Sequence, residues 1–122
     1  RCLLTGAGGQ LATELMRRVP QHIDVHAMSI DSLDITSPDG ISSAMESVRP
    51  ELVINAAAWT DVDGAEDNEP EAAAINSDGV RLLAESCDVH SARLVHVSTD
   101  FVFDGRSDAP YLPTDETSPL SA

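Results

Sequence analysis

A glycine-rich turn near the start of the chain is the first feature that could do chemistry. The segment TGAGGQLA, residues 5–12, follows an apolar run and precedes a helical pattern. In such a turn Gly6 can adopt backbone angles that other residues avoid, and Gly9 lets a pyrophosphate approach the main chain. A helix beginning near Gln10 would offer that anion free N–H groups and its positive dipole end. We therefore predict a dinucleotide-binding loop; the alternative is a tight turn in a non-binding α/β domain.

Two further segments place small or polar side chains where apolar runs end. Residues 55–59, NAAAW, combine small side chains, which leave room for a ligand, with the single tryptophan, which could stack on a cofactor or simply pack. Residues 98–100, STD, supply hydroxyl donors that could stabilise charge growing on a carbonyl oxygen, or could cap the next loop. Asp34 could bind the exocyclic amine of an adenine or be a solvated carboxylate.

Four apolar runs alternate with helical patterns and must position these segments. The runs at residues 1–5, 23–28, 52–56 and 93–98 predict buried strands, and helices are predicted over 10–19, 38–49 and 68–89. In the first helix, Leu11, Leu15 and Met16 are spaced for one helix face, and Ala12 occupies the position where a small residue lets helix and strand pack closely. Strands and helices in this alternation pack as a parallel sheet with helices on both faces, so we predict a doubly wound α/β fold.

Composition excludes several classes of partner. The net charge is -14 at pH 7, from 21 acidic residues against 7 basic ones, so the chain should repel nucleic acid and anionic membrane surfaces. No apolar run reaches the roughly 20 residues that a membrane span needs. Cys2 and Cys87 fall in a predicted strand and a predicted helix and form no disulfide framework, which suits a reducing cytoplasm.

The motifs together resemble the extended short-chain dehydrogenase/reductases. The specific segments are TGAGGQLA, LVINAAAWTDVDGAED and LVHVSTDFVFDG, at residues 5–12, 52–67 and 94–105. With LDIT at 33–36 and PYLPTDETSPLSA at 110–122, the chain more narrowly resembles the dTDP-4-dehydrorhamnose reductases and related deoxysugar reductases. The resemblance implies a Rossmann domain followed by a sugar-nucleotide-binding domain. It also implies hydride transfer from NADPH or NADH to the C4 ketone of dTDP-4-dehydro-L-rhamnose, giving dTDP-L-rhamnose.

The resemblance further implies roles for individual residues. Those expected to bind the cofactor are Gly6, Gly9, Gln10, Leu11, Asp34, Ile35, Ala57, Ala58 and Trp59. Ser98 and Thr99 would be the catalytic residues of this segment, beside the nicotinamide, with the Thr99 hydroxyl bonded to the keto oxygen. Thr99 and Asp100 would bind the sugar substrate. No metal site is predicted, and a homodimer is a further expectation from the family.

The proton donor of the family, a tyrosine four residues before a lysine, does not match any position here. The chain contains no lysine and one tyrosine, Tyr111, which matches a loop position of the family pattern. We therefore expect residues 1–122 to be the amino-terminal portion of an NAD(P)-binding domain, inactive and weakly stable alone. The tyrosine–lysine helix and the sugar-binding domain are expected outside them. Alternatives are a reductase or epimerase acting on another nucleotide deoxysugar, or a non-catalytic dinucleotide-binding regulatory subunit.

Overall fold

The computed structural model describes residues 1–120, and a parallel four-stranded sheet forms its centre. The strands are β1 (Cys2–Thr5), β2 (Val25–Met28), β3 (Leu52–Asn55) and β4 (Arg93–His96), in the order β2-β1-β3-β4. All three neighbouring pairs are parallel. Each predicted apolar run contains one of these strands, so the predicted doubly wound arrangement is confirmed.

Helical segments connect the strands. They are α1 (Gln10–Arg18), α2 (Pro38–Val48), α3 (Val62–Asp67), α4 (Glu69–Ala73), a π-helical turn (Ala74–Asp78), α5 (Gly79–Val89) and a 3₁₀ turn (Asp100–Val102). The predicted helix over residues 68–89 is thus real but interrupted by the π-helical turn. Ser37 caps α2 by accepting a 3.1 Å hydrogen bond from the Gly40 N–H, with Pro38 at the first helical position.

One face of the sheet holds the main core. The connections from β2 to β3 and from β3 to β4 run across the sheet in the same direction, so right-handed crossovers place α2 and α5 on the same face. There Leu3 and Val53 pack with the predicted apolar stripe of α2 and with Leu83 of α5. The stripe consists of Ile41, Ala44, Met45 and Val48, all buried. Burying each large aliphatic side chain contributes about 1.5–3 kcal/mol.

Helix α1 lies on the opposite face because the β1–β2 connection runs the other way. Its contact residue is Ala12, only 1% exposed, whereas Leu11 and Met16 are 41% and 40% exposed. The predicted close packing at Ala12 therefore agrees with the structure, and Leu11 and Met16 lie on a helix face that stays largely exposed. A small side chain brings the helix close to the sheet, and the larger ones are left at its flanks. No helix within residues 1–120 is long and apolar enough to cross a membrane.

Both cysteines are free and buried, and the burial of Cys2 in a strand agrees with the prediction. Burial raises the pKa of the Cys2 and Cys87 thiols, because a thiolate is poorly solvated in the core.

Candidate functional site

The glycine turn after β1 is built on two residues with positive φ. Gly6 has φ +73° and Gly8 has φ +94°, a conformation that side chains disfavour. A Cβ at Gly6 would lie 2.6 Å from the backbone of Ala56 and Ala57, so the turn rests directly on the segment that follows β3. The Ala7 N–H also donates to the Met28 carbonyl at the end of β2 (3.0 Å). The turn is thus held between the carboxyl ends of β2 and β3.

The amino terminus of α1 leaves its backbone donors available. Gly9 is the N-cap, with φ -71°, and supplies no side-chain cap; the first turn carries no acidic residue. By contrast, α2 and α3 are capped by the side chains of Ser37 and Asp61 and each has an aspartate in its first turn. Gln10 and Leu11 open α1 at the surface. An open groove of about 340 Å³ runs beside this turn, lined by Ala7, Gly8, Ala12, Thr13, Met16 and Arg17.

The segment after β3 is fixed from the neighbouring helical region. Asn76 binds both backbone polar groups of Trp59: its Oδ1 accepts from the Trp59 N–H (2.9 Å), and its Nδ2 donates to the Trp59 carbonyl (3.1 Å). The Trp59 indole N–H donates to the Asp61 carbonyl at 2.7 Å. Asn76 lies in the π-helical turn, a feature often found at functional positions. Sequence reasoning missed Asn76; its only signal was a polar residue within an apolar helical pattern.

Ser98, Thr99 and Asp100 follow β4 and are exposed. Thr99 caps the 3₁₀ turn, because its Oγ1 accepts from the Phe101 N–H at 3.2 Å. The same hydroxyl donates to Asp100 Oδ1 at 3.4 Å, a long and weak contact. Thr99 therefore caps the 3₁₀ turn, and its hydroxyl proton makes only this weak hydrogen bond to Asp100.

Asp34 and Ile35 lie beyond the end of β2 and point to different environments. Asp34 is exposed, and its Oδ1 accepts from the backbone N–H and the hydroxyl of Thr36, at 2.9 and 2.8 Å. Ile35 is 3% exposed and packs under α5, where a Cβ at Gly79 would lie 2.9 Å from its side chain. A ligand at this position would therefore meet the Asp34 carboxylate rather than the Ile35 side chain.

Tyr111 organises the loop after β4. Its hydroxyl donates to Asp104 Oδ1 at 2.7 Å and accepts from the Arg106 and Ser107 N–H groups. Its ring stacks on Phe103 with centroids 4.3 Å apart. The hydrogen bonds from Tyr111 and Arg106 hold the pKa of Asp104 below its usual range. The only tyrosine of the chain thus has a structural role in this loop.

A larger cavity, of about 540 Å³, opens away from this site. It lies beyond the carboxyl ends of α2 and α5, near the amino end of β3, and is lined by Glu46, Arg49, Pro50, Glu51, His90 and Ser91. The residues predicted to do chemistry are at the other edge of the sheet. The glycine turn, the Ala57–Trp59 segment and the segment that begins at Ser98 follow the carboxyl ends of three adjacent strands. In parallel sheets this edge is where ligands bind.

The parallel sheet, its strand order and the glycine turn define a Rossmann-type α/β fold. The chain belongs to the family described as RmlD substrate binding domain, whose match covers residues 1–122. It is 46% identical over 125 residues to a dTDP-4-dehydrorhamnose reductase of Mycobacterium tuberculosis, covering 98% of this chain and 40% of that protein. It is 45% identical to a probable dTDP-4,6-dihydroxy-2-methyloxan-3-one 4-ketoreductase of Streptomyces antibioticus, covering 100% of this chain and 42% of that protein.

Solved structures of dTDP-4-dehydrorhamnose reductases are similar to this chain as well. A dTDP-4-dehydrorhamnose reductase from Bacillus anthracis, in complex with NADP, superposes with a TM-score of 0.96 at 33% identity. That match covers 99% of this chain and 43% of the other. The corresponding enzyme of Clostridium acetobutylicum gives a TM-score of 0.94 at 36% identity, covering 98% of this chain and 43% of that one. The chain therefore spans about two fifths of the length of these relatives.

Proposed function

We propose that this chain supplies the dinucleotide-binding part and the first active-site segment of an NAD(P)H-dependent reductase. The reaction would convert the C4 ketone of dTDP-4-dehydro-L-rhamnose to the alcohol of dTDP-L-rhamnose. The observation that carries the proposal is the amino terminus of α1, which has neither a capping side chain nor an acidic residue in a chain of net charge -14. Backbone donors left free behind a glycine turn suit a pyrophosphate. The names of the relatives and the NADP complex of one of them support the same reading.

The cofactor residues would act in three places. Gly6, Gly9, Gln10 and Leu11 would form the pyrophosphate site. Asp34 and the Ile35 backbone would flank the adenine. Ala57, Ala58 and Trp59 would line the path towards the nicotinamide, held by the bonds from Asn76.

Ser98, Thr99 and Asp100 would act on the sugar. Bound NADPH or NADH supplies the hydride in such a reduction. Thr99 would donate its hydroxyl proton as a hydrogen bond to the ketone oxygen, where negative charge develops, and Asp100 would accept from a sugar hydroxyl. Because the 3.4 Å contact from Thr99 to Asp100 is weak, the Thr99 hydroxyl could give it up and donate to a bound ketone instead. The tyrosine–lysine pair expected from the family would lie outside residues 1–122, because they contain no lysine and their one tyrosine, Tyr111, is bonded to Asp104.

The decisive test is reduction by the natural protein that carries this chain. Loss of reduced-cofactor absorbance is followed with dTDP-4-dehydro-L-rhamnose, with Thr99→Val and Thr99→Ser beside the wild type. Removing one such donor lowers kcat by roughly 100-fold or more. We therefore expect a loss of that order in Thr99→Val, partial retention in Thr99→Ser, and no change in Thr114→Val, a loop control. Turnover that is equal in Thr99→Val and wild type would exclude the donor role.

A second substrate has specific support. The chain is 41% identical to a dTDP-4-keto-6-deoxy-D-glucose reductase of Streptomyces niveus, close to its identity with the dehydrorhamnose enzymes. Assaying both ketosugars at equal concentration separates the two. A kcat/KM at least tenfold higher for the glucose-derived ketone would move the assignment to that substrate.

Assembly and location complete the proposal. We infer a cytoplasmic enzyme without nucleic-acid partners, on the basis of two free buried cysteines and the strongly acidic composition. A homodimer remains an expectation from the family. Light scattering with chromatography would measure the assembly, and a monomer at working concentration would contradict the dimer.

A further inference from the structure

A row of three hydrogen-bonded side chains crosses the sheet just below the candidate site. Thr5, Asn55 and His96 occupy matching register positions at the carboxyl ends of β1, β3 and β4. Thr5 Oγ1 donates to Asn55 Oδ1, and Asn55 Nδ2 lies 3.1 Å from His96 Nδ1. Within residues 1–120, Thr5 and Asn55 are the polar residues that are buried, at 0% and 1% exposure. Buried polar groups of this kind stabilise one arrangement only when every partner is in place.

The position of the row connects it to all three segments of the site. Thr5 directly precedes Gly6, Asn55 directly precedes Ala56, and His96 stands two residues before Ser98. Asn55 Oδ1 also accepts from the Ala57 N–H at 3.2 Å. The amide of Asn55 therefore fixes the first turn of the segment expected to face the cofactor.

The donors in the row also fix the orientation of the Asn55 amide and the tautomer of His96. The Ala57 N–H can only donate, so the Asn55 atom beside it must be the carbonyl oxygen. The NH₂ group of Asn55 consequently points to His96, and His96 Nδ1 must be an acceptor with its proton on Nε2. A flipped amide would turn NH₂ towards the Ala57 N–H and leave that donor without an acceptor.

We propose that His96 is a positioning residue for the cofactor site: its Nδ1 holds the Asn55 amide in the one orientation that anchors Ala57. This inference rests on the proposed function, since the segment it anchors is the one assigned to the cofactor. His96 itself is exposed, so it can be replaced without removing a core side chain.

Two variants of nearly equal shape isolate the acceptor. Asparagine places Oδ1 where histidine has Nδ1, so His96→Asn keeps the acceptor. Leucine has a methyl group there, so His96→Leu removes it. In the natural protein carrying this chain, we expect His96→Leu to raise both the dissociation constant and the KM for NADPH about tenfold, the scale of one well-placed hydrogen bond. The sugar KM should change little, and His96→Asn should remain near the wild type.

A measurement that needs no cofactor separates this inference from the proposed function. Amide hydrogen exchange of Ala57, read by NMR, should be about tenfold faster in His96→Leu and unchanged in His96→Asn, while the Val53 amide within β3 serves as the control. An unchanged Ala57 rate in His96→Leu, or an equal increase in both variants, overturns the positioning role. Faster exchange with unchanged NADPH affinity also overturns it. A wild type that binds neither NADPH nor NADH refutes the proposed function. The Ala57 exchange rates then still test whether His96 holds the Asn55 amide in place.

Discussion

The three glycines of the turn should respond differently to alanine, although they lie within four residues of one another. At Gly6 a Cβ would stand 2.6 Å from the Ala56 and Ala57 backbone, and φ is +73°. At Gly8 φ is +94°, but nothing lies within 4 Å of the added carbon. At Gly9 φ is -71° and the nearest atom is the Gly6 carbonyl oxygen, 3.1 Å away. The series therefore separates backbone strain, steric overlap and ligand contact.

The expected magnitudes follow from these geometries. A left-handed conformation costs an L-residue about 1–2 kcal/mol, which is the full expected loss of unfolding free energy for Gly8→Ala. Gly6→Ala adds an overlap with backbone that cannot rotate away, comparable to overpacking at about 1–3 kcal/mol. Its total loss should be about 2–5 kcal/mol, a large share of the stability of a typical domain. Gly9→Ala should cost about 1 kcal/mol or less, because its backbone is ordinary for alanine.

Urea unfolding followed by circular dichroism measures these losses, and titration with NADPH measures affinity. Stability should fall in the order Gly6, Gly8, Gly9, with Gly6→Ala the most damaging. Affinity should fall in Gly9→Ala although its fold is intact, because under the proposed phosphate assignment the added methyl group would occupy the approach path of the pyrophosphate. Equal stability of Gly6→Ala and Gly8→Ala would refute the close contact with Ala56 and Ala57. Unchanged NADPH affinity in Gly9→Ala would refute the phosphate assignment.

Three further changes test how the site is supported. Asn76→Ala should lower the unfolding free energy by about 1 kcal/mol and speed amide exchange at Trp59, since the bonds to the N–H and the carbonyl of Trp59 are both lost. Asn76→Asp should retain the bond from the Trp59 N–H, and equal exchange in both variants would contradict that contact. Ser37→Ala should lower the unfolding free energy by about 1 kcal/mol in urea, and no change would argue against the observed cap. Tyr111→Phe keeps the ring stack but should raise the pKa of Asp104 towards its ordinary value, as read by carboxyl NMR titration. Because the pKa of Asp104 is lower in the folded protein, Asp104 stabilises the loop above its unfolded pKa, and this contribution is lost as the pH falls through the lower folded value. An unchanged Asp104 pKa in Tyr111→Phe would refute the Tyr111 hydrogen bond as the cause of the lowered pKa.

Local pattern was sufficient for the elements of the fold. Four apolar runs identified four strands, and alternation with helices identified the parallel sheet, because both are properties of neighbouring residues. The stripe of α2 was predicted in full, since a period of 3.6 residues determines which side chains share a face. The helix over 68–89 was found, but its π-helical turn was not. One extra residue in a turn leaves an apolar pattern almost unchanged.

The outer face of α1 shows where pattern was insufficient. Leu11, Leu15 and Met16 share a helix side, yet Leu11 and Met16 stay exposed and Ala12 is the buried residue of this helix. How far a helix face is covered depends on where the helix crosses the sheet, which no local period encodes. Cys2, by contrast, was placed correctly, because burial of a short apolar strand needs little tertiary information.

The sequence by itself determined the strands, the helices, the glycine turn and the family motifs, because each is carried by residues close together in the chain. Only the tertiary structure decided what those residues touch. Gly6 rests on Ala56 and Ala57, Asn76 brackets Trp59, and His96 reaches Asn55, over separations in sequence from 17 to about 50 residues. Such contacts arise when parallel strands bring their carboxyl ends to one edge of a sheet, and they turn separate motifs into one site.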